Sequence, residues 1–173
     1  MVSDQEMILR LVIITVIAAA IGMEREFHHK PAGLRTNVMV GLGSTLMTIA
    51  SIKAVDLTGG MAVDPTRIAA QIVSGIGFIG AGAILRPTSA TNSNVIGLTT
   101  AATLWVVAGL GIAVGMGFYR EAIASTLLVL FTFLALGKMV NALRRYTKSH
   151  PPQSVLEDEE VMHGHHSKET IEQ

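Results

Sequence analysis

The 173-residue sequence contains no cysteine. Disulfides, thiolate metal sites and cysteine nucleophiles are thereby excluded. Charge is scarce too: Asp, Glu, Lys and Arg make up 15% of the chain, against about 25% in ordinary soluble domains. None of the four stands between Arg67 and Arg86, or between Arg86 and Arg120. A soluble fold holding two such stretches in succession would expose large apolar patches; a bilayer absorbs them. The 13 basic and 13 acidic residues cancel, so no basic stripe points to a nucleic-acid partner.

What fills the chain instead is apolar sequence, half of its residues. A membrane-spanning helix needs about 20 mostly apolar residues, and five segments meet or approach this: about 7–23, 34–55, 68–85, 95–117 and 122–140. The expected fold is an all-α, polytopic transmembrane bundle of about five spans. The first span is expected to be retained rather than cleaved as a signal, because Asp4 and Glu6 precede Arg10 where a signal would be basic. Asp64 and Pro65 mark a cap and first turn before the third span. Residues 1–143 then form a membrane domain. Residues 144–173 form a polar tail, with Pro151-Pro152, an acidic run at 157–160 and histidines at 163, 165 and 166, expected to be disordered. With the C-terminus inside, Arg25, Lys30, Arg35, Arg86, Lys138, Arg144, Arg145, Lys148 and Lys168 are cytoplasmic, and Arg10, Lys53, Arg67 and Arg120 are outside. This asymmetry favours N-out, C-in.

Gly75-Ile76-Gly77-Phe78-Ile79-Gly80 matches G-x-G-x-x-G letter for letter. A dinucleotide loop needs a preceding strand and a following acid; here the match lies inside an uncharged apolar span, and no acid comes before Glu121. Two readings remain for Gly75, Gly77, Gly80 and Gly82. Small residues let membrane helices approach closely, which is the commoner reason for them, or they loosen a helix that lines a cavity. Gly111 and Gly115 form a second packing pair, and Trp105, deep in the fourth span, reads as a packing residue. Glu24, Arg25, Arg35, Asp64 and Arg67 are charges at span margins, candidates for ion pairs or partner contacts. Gln71, Asn94, Thr99 and Thr100 are polar groups within or beside spans, either bonded within the bundle or lining a path. Neither the histidine tract nor His28 and His29 makes a convincing metal site, and a metal ligand set stays unknown. With no catalytic grouping in view, an enzyme is not expected.

Taken in order, Gly22-Met23-Glu24-Arg25, Pro31-Ala32-Gly33-Leu34-Arg35-Thr36, Asp64-Pro65-Thr66-Arg67-Ile68, the glycine block 75–82 and Gly97-Leu98-Thr99-Thr100-Ala101-Ala102-Thr103-Leu104-Trp105 resemble the MgtC/SapB family over about residues 5–140. The resemblance implies a multi-pass protein of the bacterial inner membrane, linked to growth at low magnesium and acting on other membrane proteins, the proton-translocating ATP synthase among them. Some members have been labelled Mg²⁺ transporters. The virulence-associated members carry a folded soluble C-terminal domain, so this chain resembles the short, membrane-domain-only branch.

Two functions are therefore weighed. One is a non-enzymatic modulator of membrane proteins with no cofactor, Mg²⁺ serving at most as ligand or signal. The other is a Mg²⁺ or other cation transporter or channel, formed as a homo-oligomer, with Asp64 as collector and Gln71, Asn94 and Thr99 as lining. The absence of a mid-membrane carboxylate counts against the second.

Overall fold

The structure is a computed structural model and describes residues 3–57, 64, 66–84, 95–137 and 139. Pro65, Asn94 and the tail 144–173 lie outside the described residues. Five α-helices follow one another: α1 (Asp4–Phe27), α2 (Leu34–Leu57), α3 (Thr66–Ala83), α4 (Leu98–Met116) and α5 (Tyr119–Phe131), the last followed by a π-helical stretch, Thr132–Leu136. The chain divides into two compact units, Met1–Leu130 and Phe131–Gln173.

Local chemistry sets the helix ends. Ser3 caps α1, its hydroxyl accepting from the Glu6 amide, with Asp4 and Glu6 in the first turn, where the helix dipole favours negative charge. α1 runs past the expected end of its span through Glu24 and Arg25. It stops only where the His28 amide donates back to Glu24 O and His29 turns to a positive φ of 50°. The Glu26 carboxylate then accepts from the Leu34 amide at 3.0 Å and satisfies the first turn of α2. Asp64 caps α3 as expected, accepting from the Thr66 amide and hydroxyl.

α4 begins at Leu98, later than the expected 95, because Gly97 holds a φ of 97°. A Cβ there would lie 2.0 Å from Ala83 O, so only glycine lets the end of α3 meet the start of α4. Gly117, at φ 87°, closes α4: its amide donates to Val114 O and that of Phe118 to Ala113 O, a left-handed cap that lets α5 start two residues later.

α1, α2 and α4 pack on one another, and α3 leans mainly on α4. The shared interior holds Ile14, Ile17, Ala18, Ile21, Leu104, Val107, Ala108 and Val114, all nearly inaccessible. Ile76 and Gly80 of α3 are buried, Ile76 joining Leu104 and Ala108. The outward faces are no less apolar: Val16 of α1, Phe78 of α3 and Leu128 of α5 are all exposed. Helices apolar on all sides belong in lipid. Four helical segments, Asp4–Phe27, Leu34–Leu57, Leu98–Met116 and Tyr119–Leu136, are each long and apolar enough to cross a membrane. Among the described residues α3, with Arg67, Gln71 and four glycines in 18 residues, is not one of those four. The protein is a helical membrane bundle.

Candidate functional site

The glycines divide into two groups. A Cβ on Gly111 would meet Gly41 O and Ser44 Cβ at 2.7 Å, and one on Gly115 would meet Thr48 Cβ at 2.7 Å. These two positions are where α4 seats on α2, and Thr45 Oγ1 donates across the seam to Gly111 O at 2.9 Å. Gly75, Gly77 and Gly82 have nothing within 4 Å of where a Cβ would sit, and Gly80 makes only an ordinary contact with Ala101 at 3.6 Å. The expectation that the 75–82 block packs helices therefore needs correcting within this chain. The buried face of α3 is the one-turn pair Ile76 and Gly80, and residues 75, 77 and 82 fall off that face. Trp105 is likewise 55% exposed and points out of the bundle, because Leu104 and Val107 hold the inward face of α4.

At the end where α1 finishes and α2 begins lies a buried polar cluster. Arg25 is 5% exposed and its Nη2 donates to Thr100 Oγ1 at 3.0 Å. Asn37 is fully buried; its Nδ2 donates to Ala32 O at 2.6 Å and Gly33 O at 2.9 Å, which ties the 28–33 turn to α2. A Cβ on Gly22 would stand 2.7 Å from Leu34 Cα, so this turn folds directly onto α1. Glu24 pairs with His28 at 3.1 Å through one carboxylate oxygen. Sequence reasoning singled out Glu24, Arg25 and Thr100 but missed Asn37, whose only signal was an amide on the inward face of an apolar helix.

The opposite end holds a second cluster, also missed. Arg10, 8% exposed, donates through Nη1 to Gly115 O at 2.6 Å and through Nε to Glu6 and to the Tyr119 hydroxyl, both at 3.2 Å. The Tyr119 hydroxyl in turn donates to Glu6. The guanidinium thus satisfies a carbonyl in the last turn of α4, where a cation suits the dipole. Arg10 is the one charge inside the first expected span; that was the available signal. Nearby, Lys53 Nζ lies 3.3 Å from the exposed Asp4 carboxylate.

The remaining expected site residues are not gathered with these. Arg35 and Gln71 line a groove of about 780 Å³ between α2 and α3, together with Val40, Gly43, Ile72 and Gly75. Thr99 is exposed and Thr100 buried, so they do not share a lining. Asp64 and Arg67 are exposed at the start of α3. The hydrogen bonds from Thr66, hydroxyl first and amide second, hold the Asp64 carboxyl below the usual carboxylate range. Ion pairs among the described residues include Glu6–Arg10, Asp4–Lys53 and, with the imidazole protonated, Glu24–His28, and no grouping of three His, Cys, Asp or Glu residues suited to a metal occurs among them.

Comparison with known proteins places these features in a family. The model of the MgtC family matches residues 11–142. Protein SapB of Bacillus subtilis (strain 168) is 46% identical over 132 residues, covering 75% of this chain and 56% of SapB. "Putative magnesium transporter YhiD" of Escherichia coli (strain K12) is 47% identical over 137 residues, 74% of this chain and 60% of YhiD. Protein MgtC of Salmonella typhimurium (strain LT2) is 44% identical over 123 residues, 71% of this chain and 49% of MgtC. The chain thus spans between half and two thirds of the length of these relatives. No solved structure matches it.

Proposed function

The chain belongs to the MgtC family, and on that premise we propose that it is a bacterial inner-membrane protein tied to magnesium homeostasis, acting without catalysis on other membrane proteins. The observation that carries this reading is the contrast between a sealed interior and an open groove. Between the Arg25 and Arg10 clusters the α1–α2–α4 interior packs Ile14, Ile17, Ala18, Leu104 and Val107 against Ser44, Thr45 and Thr48 of α2, whose hydroxyls donate to Val40 O, Gly111 O and Ser44 O, and the Gly111 and Gly115 seam closes it. An ion crossing there would meet hydroxyls already spent on backbone carbonyls and no carboxylate, a poor replacement for the oxygen shell that hard cations require.

The α2–α3 groove offers what a partner helix needs. Lipid gives membrane helices no hydrophobic drive to associate, so close van der Waals approach carries the binding. Gly43 and Gly75 stand on facing walls with open space beside them. Met39 and Met47 line the same groove and can reshape to an incoming surface. The occupant proposed is an apolar transmembrane helix of another inner-membrane protein. The proton-translocating ATP synthase, which the family resemblance suggests, is the first partner to try.

Inverted vesicles supply the test. ATP-driven acidification should change when the chain is co-expressed and return to the control level with Gly75→Trp, which fills the groove while leaving the α2–α4 seam alone. An unchanged effect in the Gly75→Trp vesicles would overturn the groove as the contact. The competing reading, a cation transporter, draws on the name given to YhiD. It would need a path between copies of the chain.

A further inference from the structure

A second recess lies at the other end of the bundle from the Arg25 cluster, where the first turns of α1 meet the last turns of α2. It measures about 400 Å³. Its walls are apolar: Met7 on α1, and Ile49, Ile52 and Leu57 on α2. Its polar groups are Ser3, Asp4, Arg10, Lys53 and Asp56. We propose that this recess binds a phospholipid with a primary-amine headgroup, phosphatidylethanolamine, the phosphate on Lys53 and the ammonium on Asp56. The proposal is separate from the modulator reading and stands on different residues.

The occupant follows from shape and charge. An apolar wall under a charged rim at the end of spanning helices is the environment of a lipid at the headgroup boundary, where long cationic side chains also come to rest. The rim has two acids and two bases. One base is already committed: Arg10 is held by Glu6, Tyr119 and Gly115 O and forms the floor. Lys53 is half exposed, and its 3.3 Å pair with the exposed Asp4 is the weakly held kind that readily exchanges partners. Asp56 stands three residues on, on the same face of α2, so the two side chains arise about 5–6 Å apart. A phosphoethanolamine group carries its negative and positive charges at a comparable separation. An anionic headgroup would offer Lys53 the same phosphate but bring no cation for Asp56. A choline headgroup presents no N–H to the Asp56 carboxylate.

Native mass spectrometry of the purified full chain tests this, with phosphatidylethanolamine, phosphatidylcholine and phosphatidylglycerol of identical acyl chains offered at equal concentration. The ethanolamine lipid should be retained about 3- to 10-fold over the other two, the range of one partly exposed charge-assisted contact. Asp56→Asn should bring it to parity with the choline lipid, and Lys53→Gln should weaken both alike. Both substituted residues are exposed, so the thermal transition should not move. Ile52→Trp, which fills the recess, should displace all three lipids. Equal retention of the three by the unmodified chain, preference for phosphatidylglycerol, or ethanolamine-lipid retention unaffected by Asp56→Asn would each overturn the assignment.

Discussion

Gly111 and Gly115 matter for the side chains they lack. With Gly41 O and Thr48 only 2.7 Å from where a Cβ would sit, a larger residue must push α4 off α2, and overpacking of this kind costs about 1–3 kcal/mol. Gly111→Val should therefore lower the thermal midpoint in detergent, whereas Gly75→Ala, facing open space, should leave it unchanged or raise it slightly through helix propensity. Arg10 gives a second test at this scale. Arg10→Met strands Gly115 O and leaves the Glu6 carboxylate with the Tyr119 hydroxyl alone, so the unfolding midpoint should fall. Adding Glu6→Gln should recover part of that loss, a coupling that unfolding midpoints of the two single variants and the double variant would reveal. Asp64 supplies a pH dependence. Its carboxyl is lowered from 3.8 by the Thr66 bonds, so its contribution to the start of α3 is complete above about pH 4 and is lost as pH falls through the lower folded value. Protection factors in the first turn of α3, corrected for intrinsic exchange, should fall below about pH 4 in the native chain, and Asp64→Asn should remove that fall.

At the scale of the helices, apolar run length marked five helices because a span in lipid needs little else. Ends were less legible. α1 continues through Glu24-Arg25 because Arg25 is buried against Thr100, a partner 75 positions away that no local pattern reveals. α4 starts late because Gly97 must accommodate Ala83 O. The same limit governs the glycines: Gly75 and Gly111 look alike in sequence, and only the position of α2 separates an open groove from a closed seam. Arg10, read as one more outer charge, proves to close the end of α4 through Gly115, 105 residues on. One strain is local and testable. Ala32 holds a φ of 56° in the α1–α2 turn, and non-glycine residues pay about 1–2 kcal/mol there. Ala32→Gly should raise the midpoint, or at least leave it intact, unlike any larger substitution.

For the molecule as a whole, the charge asymmetry proposes N-out, C-in with α3 crossing as a fifth span; a C-terminal fluorescent-protein fusion that glows and an inactive alkaline phosphatase fusion would support it, and the reverse pair would contradict it. The central claim is that this protein acts on other membrane proteins and does not itself carry magnesium. Purified protein in liposomes loaded with a Mg²⁺-sensitive dye tests it most directly. The account predicts dye signals matching protein-free liposomes for both the native chain and Asp64→Ala. Protein-dependent Mg²⁺ entry that Asp64→Ala abolishes would contradict it.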